Sequence, residues 1–181
     1  MVVRATLVSE KGGVGKSSVT LGLASAGWAA GKRVLVVDLD PQGSASRVLG
    51  VDPETASGRM VSALEAPRPG GAAGELVDST WGVNVSVLPA DRAMRHWENP
   101  GRAKARVQRL DRALRGVTDD FDVVLIDCPP GLGPNVTMAL AAADRAVMVA
   151  EPSVFSIEAI APLADLIDDV WDQYNPDLDL A

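Results

Sequence analysis

The sequence predicts an α/β fold, a doubly wound, mostly parallel sheet with helices on both faces. Three observations predict it. Four-residue apolar runs recur along the chain without polar alternation, as in strands covered on both sides. Stretches of helical composition or spacing separate them, which is the βαβ rhythm of a parallel sheet. Hydrophobic residues make up 47% of the 181 and aromatics only 4%, a balance that suits small-residue helices on a sheet better than a barrel or sandwich. That length allows one well-buried core and is short for two, so residues 1–181 are expected to form a single domain.

Ala5-Thr6-Leu7-Val8 reads as the first strand, and a glycine-rich turn follows it at once. Helix-forming composition runs from Ser17 to Ala30, with Gly31 placed as a C-terminal cap. Val34-Leu35-Val36-Val37 closes one right-handed βαβ unit. Residues 44–49 and 58–64 read as short helices, and the Pro/Gly-rich stretch 67–74 as a surface loop that packs no core. Residues 83–88 form the next strand. Between Ala103 and Val117, the apolar residues Val107, Leu110, Leu114 and Val117 recur at helical spacing. Residues 123–126 and 146–149 are two further buried strands. The last helix presents Ile157, Ile160, Ala164, Ile167 and Trp171 on one face and stops at Tyr174-Asn175-Pro176-Asp177. Leu178-Asp179-Leu180-Ala181 begins one more strand.

No apolar run approaches the roughly 18 residues that a membrane span needs. A single cysteine excludes an intramolecular disulfide and points to the cytoplasm. The formal charge of −7 argues against DNA binding by the chain as a whole, yet the charge is uneven. Eight basic residues fall between Arg92 and Arg115 against two acids, Glu98 and Asp111, while eight acids and no Lys or Arg follow from Glu151 onward.

The chemistry begins at Glu10-Lys11-Gly12-Gly13-Val14-Gly15-Lys16-Ser17-Ser18. Glycines let the backbone curl until successive N–H groups converge on phosphate oxygens, and a helix starting near Lys16 aims its positive end at the same place. Lys16 can set a point charge on the β- and γ-phosphates, and the Ser17 hydroxyl can ligate magnesium. The bland alternative is a glycine turn that binds nothing. Carboxylates follow two of the buried strands. Asp38-Leu39-Asp40-Pro41-Gln42-Gly43 comes after the second strand and Asp127 ends the run Val123-Val124-Leu125-Ile126, so both face the ligand crevice of a parallel sheet. An unperturbed aspartate is a poor base toward water, so orienting a water suits Asp40 better than deprotonating one.

KGGVGKSS resembles the deviant Walker A box of the ParA/MinD family of P-loop ATPases, although Glu10 stands where the general phosphate-loop pattern has glycine. The resemblance implies ATP and Mg2+ as ligands, with Gly12, Gly13, Val14, Gly15, Lys16, Ser17 and Ser18 binding nucleotide. It also implies that Lys11 is the signature lysine, reaching a partner's phosphates across an ATP-dependent homodimer as an arginine finger does. The segment from Asp38 is similar to the family's D-x-D-P-Q-G box. By that match Asp40 positions the attacking water, and Asp38 supports the loop or the magnesium hydration. Asp127 resembles the Walker B aspartate that holds magnesium, and Cys128-Pro129-Pro130 the switch segment that senses the γ-phosphate. Phe155-Ser156-Ile157-Glu158-Ala159-Ile160 resembles a stretch of ParA-type partition proteins. Membership of such a family would imply slow ATP hydrolysis, nonspecific DNA binding by the ATP dimer, nucleoid association and a ParB-like activating partner. The resemblance further implies strands and helices beyond residue 181, carrying adenine contacts and much of the DNA surface.

Weaker features have plainer explanations. Lys104, Arg112 and Arg115 lie off the apolar stripe of their helix and could meet DNA phosphates or simply solvent. His96 reads as a surface residue and Cys128 as a small buried one. The tryptophans, Trp28, Trp81, Trp97 and Trp171, are too scattered for a stacking platform. Rival functions are a MinD-like membrane-associated ATPase, for which the acidic end offers no basic amphipathic helix, a small-molecule kinase or ligase, and a nucleotide-binding module without turnover.

Overall fold

The computed structural model describes residues 2–66, 68–99, 101, 104–151 and 154–181, with the side chains of 154–159 excepted. Among these residues seven strands form one sheet: β1 (Val3–Val8), β2 (Val34–Asp38), β3 (Val77–Asp78), β4 (Val85–Leu88), β5 (Val123–Asp127), β6 (Arg145–Met148) and β7 (Asp179–Leu180). Their order is β3-β4-β2-β5-β1-β6-β7, and every pairing is parallel except β3 with β4. This is the doubly wound arrangement. The strand order reverses on either side of β1, where the turn after it opens at the strands' C-terminal ends.

Successive strand residues feed two cores, as the pleat requires. Leu35, Val37, Val124 and Ile126 pack under α3 (Arg59–Glu65), α4 (Arg109–Leu114), α5 (Pro134–Ala141) and α6 (Val154–Gln173). Val34, Val36 and Leu125 face α1 (Lys16–Ala29) and α2 (Ser44–Val48). All five residues of β2 are buried, which is why that run carries no polar alternation.

Some elements differ from the sequence expectation. The stripe Val107, Leu110, Leu114 and Val117 is buried as expected, but only Arg109–Leu114 is α-helical and residues 104–108 are turns. The glycine-rich loop does enter the core: Ala72 is fully buried, and its N–H donates to Ala113 O at 3.1 Å. An antiparallel edge strand, β3, stands where no strand was expected, and Val83 is exposed ahead of β4. On α6 the buried face is Leu163, Ile167 and Val170, whereas Ile160 and Trp171 are 38% and 47% exposed. The two stripes share Ile167 and differ by one helical step, so only contact with α5 decides between them. Asn175 locks that choice by donating to Leu140 O and Ala143 O. Phe155, Ile157, Arg102 and Ala103 fall outside the residues or side chains described.

Two of the tryptophans pair, although their spacing in the chain is wide. Trp28 and Trp81 meet with ring centroids 6.2 Å apart, and Trp97 is buried with the Arg106 guanidinium 4.3 Å over its ring. His96 is exposed and Cys128 fully buried, as expected.

Candidate nucleotide site

The turn between β1 and α1 is shaped by Gly13 and Gly15, with φ of +83° and +91°. Side chains with a Cβ rarely adopt that left-handed backbone, so glycine is required for the loop to close. Gly15 is also the N-cap of α1, and no side chain caps the helix there. The first-turn N–H groups and the positive end of a fourteen-residue helix therefore point into the loop.

A cleft of about 390 Å³ opens at this turn, walled by Gly12, Gly13, Gly15, Lys16, Ser17 and Ser18 from the loop. Asp40, Gln42 and Ser44 come from beyond β2 and Pro130 from beyond β5. Tertiary structure thus brings the three separated sequence motifs to one place. Lys16 is buried at 7% exposure, while Lys11 is exposed and lines a different, apolar recess with Val14, Ile160 and Leu163. Two lysines of one loop face different ways.

Strand register sets the carboxylates. Asp38 pairs with Asp127 across β2 and β5, so two carboxylates end neighbouring strands. Asp127 is fully buried, and Ser17 Oγ donates to its Oδ2 at 2.6 Å. The Thr20 hydroxyl sits 3.0 Å from Asp127 Oδ1 and 3.1 Å from Lys16 O. Burial raises the Asp127 carboxyl above its ordinary value, against the Ser17 bond and the Lys16 charge. Asp38 is pushed up to about 7, by burial first and then by the charge of Asp127. Its oxygens accept from Ser46 N and Oγ at 2.8 and 2.7 Å and from Asp40 N at 3.2 Å. Ser46 Oγ in turn accepts from Ala90 N at 3.0 Å. Asp40 lies at the cleft wall, with Oδ1 accepting from Gln42 N at 2.8 Å.

These groups fit a nucleoside phosphate with magnesium. The loop amides and Lys16 answer the phosphate charge, and Ser17 with Asp127 supplies hard oxygen donors. Among the described residues no three His, Cys, Asp or Glu side chains could hold a metal ion by themselves. Magnesium commonly takes most of its ligands from phosphate and water, so a sparse protein set suits it. Sequence reasoning missed Thr20 and Ser46. The signal for Thr20 was its place four residues after Lys16, on the same helix face; nothing local marked Ser46.

A second cluster is cationic. Lys104, Arg109, Arg112 and Arg115 line a groove of about 500 Å³ that Gln173 and Tyr174 complete. Part of that charge is engaged at home: Arg115 binds Asp111 at 2.8 Å, and Arg112 donates to Ala66 O at 2.8 Å.

Fold and site together define a P-loop nucleotide-binding protein, with the phosphate loop at the reversal point of a mostly parallel sheet. A family model described as an AAA domain matches residues 4–180. The chromosome partitioning protein ParA of Myxococcus xanthus is 35% identical over 179 residues, covering 94% of this chain and 59% of that protein. The chromosome-partitioning ATPase Soj of Thermus thermophilus is 34% identical, covering 99% of this chain and 67% of that protein. The chain belongs to the ParA/MinD family of P-loop ATPases. A solved cobyrinic acid a,c-diamide synthase from Mycobacterium smegmatis, with bound ATP analog and magnesium, superimposes with a TM-score of 0.88 at 32% identity. That match covers 99% of this chain and 72% of the synthase. An uncharacterised Mycobacterium tuberculosis protein is 35% identical over 97% of this chain, which spans only 55% of that relative's length.

Proposed function

We propose that residues 1–181 form one nucleotide-binding domain acting as an ATP-dependent dimerisation switch of the ParA type. Lys16, the loop amides and Ser17 bind Mg·ATP, Asp127 holds the magnesium shell, and Asp40 aligns the attacking water. Asp38, with its oxygens occupied by Ser46 and Asp40, supports the loop more than the metal. The observation that carries this function is that the two lysines of the loop line different surfaces. Lys16 is buried in the cleft wall, and exposed Lys11 lines another surface, from which it can serve a second copy's phosphates.

Membership of the family and the partitioning relatives support action in chromosome or plasmid partition, by nonspecific DNA binding of the ATP dimer and slow hydrolysis. A ParB-like activator and nucleoid association in the cytoplasm belong to the same proposal. Among the described residues no helix is long and apolar enough to cross a membrane. The test is light scattering on an Asp40→Ala variant with Mg·ATP and with Mg·ADP. A dimer with ATP alone, lost again when Lys11→Ala is added, is the expected result. A monomer in both nucleotides removes the switch and leaves a nucleotide-binding module.

The diamide synthase similarity supports a second possibility, an ATP-dependent ligase step. ADP release that depends on an added carboxylate substrate would favour it over partition.

A further inference from the structure

Glu98 ends the 3₁₀ helix Arg92–Glu98, and its Oε1 is buried without a hydrogen-bond partner among the described residues. Folded chains leave few such atoms, so this one calls for a physical reason. Its surroundings supply one. Glu98 lies so close to Gly133, the N-cap of α5, that a Cβ on Gly133 would run into the carboxylate. The backbone N–H of Asn135, in the first turn of α5, lies near enough to favour the charge on that carboxylate. Asn135 Nδ2 donates to Met94 O at 3.3 Å, on the same 3₁₀ helix.

The segment 128–133 is therefore held at both ends. It leaves Asp127 at the magnesium position and places Pro130 in the cleft wall beside Gly12. Gly131 N–H donates to Ser9 O at 3.1 Å, and Gly133 then meets Glu98. We propose that Glu98 is a positioning residue for the nucleotide site. By holding Gly133 and Asn135 from outside the cleft, it sets where residues 130–133 stand and so how the site tells a nucleoside triphosphate from a diphosphate. This rests on the nucleotide switch proposed above. Burial raises the Glu98 carboxyl above its ordinary value and the Asp40 charge adds to the rise, against the Asn135 N–H. A partly buried carboxylate that already feels the charge of Asp40, at the cleft wall, is loosened by further negative charge placed in that cleft, more by three phosphates than by two. Releasing the hold in advance therefore favours the triphosphate.

Two independent substitutions remove the contact. Glu98→Ala deletes the carboxylate. Gly133→Ala evicts it, since the Gly133 backbone (φ −76°, ψ 174°) is one alanine adopts and the atoms it meets are the end of a flexible side chain. Hydrogen exchange over residues 128–136 of the full chain, with Kd for Mg·ATP and Mg·ADP, provides the test. Both variants should lose at least tenfold amide protection there and bind Mg·ATP at least fivefold more tightly relative to Mg·ADP. The double variant should do no more than either single, and Glu98→Gln, which keeps the shape that packs against Gly133 and an oxygen facing the Asn135 N–H, should keep the protection. Unchanged protection, additive effects, or equal losses for both nucleotides alongside a lower melting temperature would overturn the proposal. Wild-type chain that binds neither nucleotide would sink the switch instead, while the exchange data still decide whether Glu98 holds the segment.

Discussion

Asp38 and Asp127 end adjacent strands in register, and neither is exposed. Two carboxylates cannot both ionise cheaply in such a place without a cation. The Asp38 carboxyl, raised to about 7, keeps a proton in the folded, metal-free chain that the unfolded chain releases near pH 4. Its contribution to stability is full below about pH 4 and is lost as pH rises through 7, on the order of a few kcal/mol. Melting temperatures of the metal-free chain between pH 4 and 7 should accordingly fall more for wild type than for Asp38→Asn. Parallel curves for the two would show that Asp38 ionises normally. The same burial pushes the Cys128 thiol up to about 12, beside Thr6 Oγ1 at 3.2 Å, so this cysteine is a packing residue. Local sequence marked Asp38 and Asp127 through the strands they end. It could not mark Ser46, whose bond to Asp38 spans eight residues and depends on how α2 folds back.

At the scale of elements, α4 has six residues and would not be stable as an isolated helix. Its burial sustains it: Leu110, Ala113 and Leu114 pack into the core beneath α3 and α5. Leu110→Ala should cost about 2–5 kcal/mol in denaturant unfolding, because the fully buried side chain leaves a cavity in a packed interface. A loss below about 1 kcal/mol would mean that α4 repacks freely. The apolar spacing from Val107 to Val117 foretold the buried residues but overstated the helix. Spacing reports which side chains face inward, whereas backbone hydrogen bonds decide where the helix begins. The misread face of α6 has the same origin, since two apolar stripes one step apart are equally periodic until α5 covers one of them.

Over the whole molecule, charge is segregated: the cationic groove of Lys104, Arg109, Arg112 and Arg115 lies beside the acid-rich last helix. Arg112→Glu with Arg115→Glu should weaken ATP-dependent DNA retention at least about tenfold at moderate salt if the groove meets phosphates. Equal retention would confine DNA contact to another surface.

The chain by itself determined the parallel sheet, the glycine loop and the carboxylates that end β2 and β5. These obey rules that act over a few residues: unbroken apolar runs need cover on both faces, and left-handed turns need glycine. Only the tertiary structure decided that Lys16 lies in the cleft while Lys11 lines another recess, that Ser46 supports Asp38, and that Glu98 meets Gly133. Those contacts join residues far apart in the chain or on opposite sides of one turn. Their energies depend on packing and on exclusion of water, which local sequence does not encode.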